Sequence, residues 1–284
     1  MERIAVVTDT GSNLSFAQAK ELGIYLLPLQ ITIDETTYQD TLEISTQDIY
    51  KELANGKMPK TSMAAYQKIY DLFEELKKDY DTIFAVPLTN GLSTNASTMQ
   101  SIARELEMNV HVIDMYATCA LEKHVAIWIK RLVDEHKSSE EILKIIQPAI
   151  DESNSLILVK NLQHLKRGGR LTPMAAALAG LSKIYPVLHI NKSTEGRIDV
   201  LNKVRTEKRA DAYAIDKIMD DIDIQHTHIY IIHSNFLEGA DHFKKCFIEK
   251  GVPEQNIHID YISSVIAVHT GLGCIAIQYI REEN

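Results

Sequence analysis

Cysteine is scarce in this chain, with three residues among 284, at positions 119, 246 and 274. An odd number of distant cysteines offers no disulfide framework and is typical of proteins kept in a reducing compartment. No apolar run approaches the roughly 20 residues that a membrane-spanning helix requires. The N-terminus becomes polar after one short strand, unlike a signal peptide. These absences predict a soluble, cytoplasmic protein with no integral membrane segment.

A surplus of basic residues is also missing, because 30 lysines and arginines stand against 39 aspartates and glutamates, a formal net charge of −9. This balance disfavours binding to nucleic acid or to an anionic membrane surface. No P-loop and no G-x-G-x-x-G motif follows the first strand, and the eleven histidines show no spacing typical of metal ligands. The sequence therefore predicts no cofactor, no metal site and no nucleic-acid partner.

What the chain does contain is an alternation of short apolar strands with amphipathic helices. The first half carries predicted strands with helices between them, at 3–9, 82–88 and 110–114. This alternation indicates a parallel sheet. The second half differs, because two of its strands are joined directly around Glu195-Gly196 and another closes the chain at 274–280.

The expected fold is α/β with two α/β domains and a ligand in the cleft between them. Residues 1–152 are predicted to form an N-terminal domain with a mostly parallel sheet, and residues 153–284 a C-terminal domain with a mixed sheet. In parallel sheets, ligands bind beyond the carboxyl ends of the strands. Asp9, Ser93 and Asp114 all follow predicted strand ends, so we expect them at one edge of the sheet.

Two hydroxyl clusters stand near predicted helix starts. Thr61-Ser62 precedes a helix predicted at 64–78, and Ser93-Thr94 precedes one predicted at 95–107. Helix N-termini present unpaired N–H groups and a positive dipole end, so two of them could hold one carboxylate or phosphate. The alternative is plain N-capping, which serine and threonine perform in many proteins. For either cluster alone, capping is the more frequent role.

Six motifs occur in a fixed order along nearly the whole chain. They are VVTDTGSNL (6–14), TSMAA (61–65), TNGLSTNASTMQSI (89–102), NLQHLKRGGRLTPMAAALAGLSKIYPVLHI (161–190), VLNKVRTEKRA (200–210) and VHTGLG (268–273). Together they resemble the DegV family, bacterial proteins that bind a fatty acid between two α/β domains. The segment DMYATCALEKH (114–124) departs from the family pattern, because it lacks the Ser and Gly residues expected after the aspartate.

The resemblance implies a lipid carrier without catalytic residues of its own. In that reading Thr61 and Ser93 hold the fatty-acid carboxylate with His269 near it, and the acyl chain lies in an apolar slot of the second domain. The other ligand-binding residues are Ser62, Thr94 and Arg170. Family members present the bound fatty acid to a separate kinase, which makes an acyl phosphate for phospholipid synthesis. Arg167 and Arg205 are then candidates for the partner surface or the phosphate.

A serine esterase is the alternative function. GLSTN (91–95) half resembles the nucleophile elbow G-x-S-x-G, and the chain order Ser93, an acid, His269 fits the α/β-hydrolases. Ser93 would be the nucleophile and His269 the base, with Asp241 or Asp260 available to orient the imidazole. Asn95 replaces the second glycine of the elbow, which ranks this alternative below the carrier.

Overall fold

The computed structural model describes residues 2–181 and 184–282. Its helices are α1 (Phe16–Leu22), α2 (Thr46–Ala54), α3 (Tyr66–Leu76), α4 (Asn95–Glu105), α5 (Ala120–Asp134), α6 (Ser139–Glu152), α7 (Leu162–Arg167), α8 (Pro173–Leu178), α9 (Glu207–Asp221), α10 (Leu237–Glu249) and α11 (Ser264–Thr270). Its strands are β1 (Ile4–Asp9), β2 (Tyr25–Leu27), β3 (Gln30–Ile33), β4 (Thr36–Gln39), β5 (Lys60–Ser62), β6 (Thr82–Val86), β7 (Asn109–Val112), β8 (Asn154–Leu158), β9 (Tyr185–Ile190), β10 (Asp199–Val204), β11 (Thr227–His233), β12 (Ile257–Tyr261) and β13 (Ile275–Arg281).

The chain divides into two compact units. The first unit is Met1–Pro148 with Ser263–Val268, and the second unit is Ala149–Ile262 with His269–Asn284. Short helix α11 therefore begins in the first unit, although the strands before and after it belong to the second. The division of the chain at residue 152 stays a prediction.

A parallel sheet forms the centre of the first unit. Its strand order is β2-β1-β6-β7, and every pairing in it is parallel. β1 and β6 are buried along their whole length, which explains their continuous apolar sequences. The predicted parallel sheet of the N-terminal part is confirmed.

A second, antiparallel sheet in the first unit has the order β4-β3-β5. Its third strand contains Thr61 and Ser62, which pair with Ile31 and Gln30 of β3. The prediction that Thr61-Ser62 opens a helix is therefore wrong, because α3 begins only at Tyr66. Sequence reasoning could not find β5, because three residues are too few to show a strand periodicity. Its pairing partner, β3, lies about thirty residues earlier in the chain.

The core of the first unit lies between its helices and the parallel sheet. Phe73 of α3 and Met99 of α4 are fully buried in one apolar cluster with residues of β1 and β6. Val265 and Val268 of α11 belong to the same cluster. The helical part of segment 263–268 is thus held in place by burial of its valines.

The second unit is built on a mixed sheet of order β10-β9-β8-β13-β11-β12. β11 and β12 run parallel, and the other neighbours run antiparallel. Alternate strand residues such as Ile231 and Ile277 form one apolar cluster with Ala214 of α9 and Phe243 of α10. The predicted mixed sheet of the C-terminal part is confirmed. Within residues 2–181 and 184–282, no helix is long and apolar enough to span a membrane.

Candidate functional site

Asp9 lies at the carboxyl end of β1 and organises that edge of the parallel sheet. Its side chain is fully buried and accepts three hydrogen bonds, from the backbone N–H of Gly11 at 2.8 Å, the backbone N–H of Leu88 at 2.9 Å and Asn95 Nδ2 at 2.6 Å. Asp114, which follows β7, accepts a bond from the backbone of Asn90 at 3.1 Å. The predicted convergence of strand-end residues at one edge is confirmed.

Ser93 stands two residues before the first residue of α4. Its Oγ accepts a hydrogen bond from the Asn95 backbone N–H at 3.2 Å, and its own N–H donates to the Thr89 carbonyl at 3.1 Å. The helix N-cap position belongs to Thr94, whose side chain makes no capping bond. Since Ser93 Oγ acts as an acceptor here, its hydroxyl proton can be directed to an external acceptor.

Met63 links the Thr61-Ser62 segment to the start of α4 through hydrogen bonds. Its Sδ atom accepts hydrogen bonds from Thr94 Oγ1 at 3.5 Å and from Thr98 Oγ1 at 3.4 Å. The residues after β5 are therefore packed against the start of α4. Ser62 Oγ donates to Gln30 Oε1 at 3.0 Å, so this hydroxyl serves the pairing of β5 with β3.

A second buried acid, Glu122 in the first turn of α5, lies beside Asp9. Both side chains are fully buried, and Asp9 Oδ1 and Glu122 Oε2 both border Gly11. Thr8 Oγ1 lies 3.2 Å from Glu122 Oε1. Burial and the neighbouring charge of Asp9 raise the pKa of Glu122 well above its ordinary value. Burial also raises the pKa of Asp9, although its N–H donors oppose that effect.

A third buried acid, Asp40, follows β4. Burial raises its pKa to about 6, against the opposing effect of hydrogen bonds from Ser264, Thr10 and the backbone of Thr41. The charge of Asp9 adds to the increase. Three carboxyl groups thus lie in the interior of the first unit. Sequence reasoning placed Asp9 at the sheet edge but missed Glu122 and Asp40.

In the second unit, His269 and Arg170 both contact Gly168. Arg170 Nη1 donates to the Gly168 carbonyl at 2.8 Å. Burial and the nearby guanidinium of Arg170 lower the pKa of His269 to about 4, although a hydrogen bond with the Gly168 backbone works against this decrease. The imidazole is therefore neutral at pH 7, and the structure brings these two predicted residues together.

Arg167 and Arg205 lie at exposed positions of the second unit. Arg167 is the last residue of α7, and a turn at Gly168-Gly169 follows it. Arg205 directly follows β10, which ends at Val204, and lies in the bend before α9. Both guanidinium groups are accessible from solvent.

A cavity of about 350 Å³ lies in the second unit beside α9 and α10. Apolar side chains, including Leu158, Phe243 and Ile275, form part of its lining. Its lining also includes charged or titratable side chains, namely Lys160, Glu207, Asp211, Glu238 and His242. Among the described residues, no cluster of three or more His, Cys, Asp or Glu could hold a metal ion.

The nucleophile elbow predicted for the esterase does not form. An elbow serine follows its strand directly and adopts a strained backbone, whereas β6 ends at Val86 and Ser93 is not among the residues with positive φ. The groups that shift the pKa of His269 are Arg170, Gly168 and His164, and none of them is an acid. Ser93 therefore lacks the backbone geometry that the esterase alternative requires of its nucleophile.

The chain is similar to known proteins over its whole length. The profile described as uncharacterised protein, DegV family, matches residues 3–282. A DegV domain-containing protein of Halalkalibacterium halodurans is 30% identical over 289 aligned positions, covering 100% of both chains. One of Caldanaerobacter subterraneus is 32% identical, covering 83% of this chain and 84% of the relative.

Two solved structures have the same fold and at least a quarter of their residues in common with this chain. The fatty acid binding DegV family protein of Streptococcus agalactiae has a TM-score of 0.91 at 28% identity, covering 100% of both chains. DegV of Bacillus subtilis, described as a fatty acid binding protein, has a TM-score of 0.86 at 26% identity, covering 99% of this chain and 100% of that one. The chain therefore belongs to the DegV family.

Proposed function

We propose that this protein binds a long-chain fatty acid by its carboxylate and has no catalytic activity of its own. The observation that carries the proposal is its likeness over the full chain to the fatty acid binding proteins of Streptococcus agalactiae and Bacillus subtilis. The local geometry around Ser93 supports the same conclusion, because it supplies donors suited to an anion.

The head group is assigned mainly to Ser93 and Thr61. The Ser93 hydroxyl accepts from the Asn95 backbone and can donate its proton outward at the start of α4. A buried carboxylate needs such donors, since leaving its charge unpaired is very costly. Each charge-assisted hydrogen bond contributes about 1.5–3 kcal/mol. Burial of the acyl chain adds about 0.8 kcal/mol per methylene group, so the chain sets most of the affinity.

Ser62 and Thr94 have a supporting role in this proposal. Their hydroxyl groups donate to Gln30 and to Met63, and these bonds hold β5 and the start of α4 in place. His269 and Arg170 offer a neutral imidazole and a cation to an anionic ligand. Their part in binding the carboxylate stays a prediction.

The acyl chain is assigned to an apolar slot of the second domain, residues 153–284. The cavity beside α9 and α10 suits a methylene chain poorly, because Glu207, Asp211 and Glu238 are among the residues that line it. Placing carbon chains against carboxylates leaves those charges without water. We therefore do not assign the slot to this cavity.

The test of ligand binding is native mass spectrometry of the purified protein, followed by denaturation and organic extraction. We expect a stoichiometric fatty acid in the wild type and a sharp loss in the double variant Thr61→Ala/Ser93→Ala. Ser101→Ala is the matched control, because Ser101 is an exposed serine of the same helix α4. Unchanged retention in the double variant would remove the head-group assignment, and a wild type that never binds fatty acid would refute the function.

We also propose that the protein presents its fatty acid to a partner kinase for acyl-phosphate formation in phospholipid synthesis. Arg167 and Arg205 support this step, because exposed guanidinium groups suit recognition of phosphates and carboxylates. The test is ATP-dependent acyl-phosphate formation with a fatty-acid kinase catalytic subunit. Arg167→Ala and Arg205→Ala should slow it without loss of bound lipid, whereas Lys245→Ala, which removes an exposed cation of α10, should not. Equal rates in all variants would contradict the assignment.

A further inference from the structure

We infer that Asp9 and Glu122 form a buried carboxyl pair that shares one proton and positions Ser93, through Asn95, for an anionic head group. Glu122 is thus assigned as a positioning residue of the site, although it touches no ligand. The inference rests on the proposed fatty-acid function for its consequence, but the pair itself can be tested without any ligand.

The contact between the two acids requires a proton. Within residues 2–181 and 184–282, no N–H or O–H group donates to Glu122 Oε2. Its neighbour beside Gly11 is the fully buried carboxyl of Asp9, whose charge raises the pKa of Glu122. Two buried carboxylates repel each other, whereas one proton between them allows a hydrogen bond. The proton belongs on Glu122, because Asp9 already accepts from three N–H groups and Glu122 does not.

Gly11 leaves room for this pair. A β-carbon at position 11 would lie 2.7 Å from Asp9 Oδ1 and 3.0 Å from Glu122 Oε2. The first distance is shorter than β-carbons adopt in proteins and the second is tighter than most of their contacts, so any larger residue would push the acids out of position. The glycine, Asp9 and Glu122 therefore act as one unit at the carboxyl end of β1.

The pair reaches Ser93 through one residue. Asn95 Nδ2 donates to Asp9 Oδ2 at 2.6 Å, and the Asn95 backbone N–H donates to Ser93 Oγ at 3.2 Å. The orientation of Asn95 thus fixes the first residue of α4 and the acceptor side of the Ser93 hydroxyl. Glu122 stabilises Asp9 as a carboxylate, because its O–H adds a donor to the three N–H groups.

The shared proton also sets the charge beneath the head-group site. With Glu122 protonated the pair carries one negative charge, and without the proton it carries two. The other titratable groups that act on these acids are Asp40 and Cys119, which also become negative when they lose a proton. Because like charges repel, losing the proton weakens the binding of a carboxylate ligand. Affinity for fatty acid should therefore fall as the pH rises through the titration of the pair.

The first test measures protonation in the ligand-free protein. Infrared spectroscopy above pH 7, where Asp40 is ionised, should show the C=O stretch of a protonated carboxyl in the wild type. The band should vanish in Glu122→Gln and Glu122→Leu and persist in Glu74→Gln, which removes an exposed acid of α3. A wild type without this band overturns the shared proton, whether or not the protein binds lipid.

The second test follows fatty-acid affinity against pH in the same variants. Glu122→Gln keeps a neutral N–H donor, so its affinity should match the wild type near pH 7 and stay level as the pH rises. Near pH 7, Glu122→Leu and Asn95→Ala should bind roughly tenfold more weakly than the wild type, the loss typical of a hydrogen bond to a charged group. Wild-type affinity in Glu122→Leu overturns the positioning role. If Glu122→Gln loses as much fatty-acid affinity as Glu122→Leu, the positioning role is overturned too. A wild type that binds no fatty acid refutes the proposed function instead.

Discussion

Asp40→Asn should change the pH dependence of stability in the first unit. The pKa of Asp40 lies at about 6 in the folded protein, against an ordinary value of 3.8. Between these values the unfolded chain loses the proton while the folded protein keeps it. The free energy of unfolding therefore falls as the pH rises from 3.8 to 6, and the loss is complete above 6.

The magnitude follows from the same two values. A difference of about two pH units converts to about 3 kcal/mol of folding free energy. Asparagine cannot ionise, so the free energy of unfolding of wild type minus that of Asp40→Asn should drop by about 2.4 kcal/mol between pH 4 and pH 7, because the unfolded carboxyl is already more than half ionised at pH 4. The absolute difference at any one pH also contains changed hydrogen bonds with Ser264 and Thr10, so the slope is the informative quantity.

Urea unfolding followed by tryptophan fluorescence is the assay. Trp128 is the only tryptophan of the chain and is buried in α5, within the first unit. Asp71→Asn, which removes an exposed acid of α3, controls for the general effect of one negative charge. A difference between wild type and Asp40→Asn that does not vary from pH 4 to pH 7 would refute the reasoning.

Three further substitutions have expected outcomes. Phe73→Ala removes a fully buried ring and should lower the free energy of unfolding by about 3–5 kcal/mol, which urea titration measures. Gly11→Ala should lower the melting temperature and abolish the infrared band of the protonated carboxyl, because its β-carbon meets Asp9 and Glu122; a retained band would contradict this. Gly168 has an ordinary φ of −63°, but a β-carbon there would lie 2.8 Å from His269 Nδ1. Gly168→Ala should therefore lower the melting temperature more in the wild type than in a His269→Ala background, where only the contacts with the Leu165 carbonyl at 3.1 Å and the β-carbon of residue 269 at 3.2 Å remain; an equal effect in both would exclude the clash with Nδ1.

Much of the fold was predictable because its longer elements carry a clear periodicity. Helix α4 was predicted at 95–107 and is Asn95–Glu105, and the buried strand β6 was predicted at 82–88 and is Thr82–Val86. Helix α11 was missed. Its sequence SVIAVHT is rich in branched residues that favour strands, and its seven residues are too few for a helical period. Burial of Val265 and Val268 decides its conformation, and this contact is not local.

The candidate site was predictable only in part for a similar reason. Asp9 and Ser93 follow strand ends, which local sequence reveals, whereas the pairing of Thr61 with Ile31 depends on residues far apart in the chain. The position of Glu122 in the apolar pattern of α5 does indicate that it is buried. It precedes Val125, Ala126 and Ile129 at spacings of three, four and seven, which places an acid on the buried face of α5.

The path of the chain through α11 affects how the protein can be divided. A fragment that ends at Pro148 lacks Val265 and Val268, which complete its core, and Ser264, which donates to Asp40. Such a fragment would expose apolar surface of its core and leave Asp40 without the Ser264 hydroxyl. A synthetic peptide that spans 263–268 should restore the apolar packing and this hydrogen bond. The first unit is therefore complete only after residue 268 has been synthesised, and its final folding step must wait for segment 263–268, more than a hundred residues after Pro148.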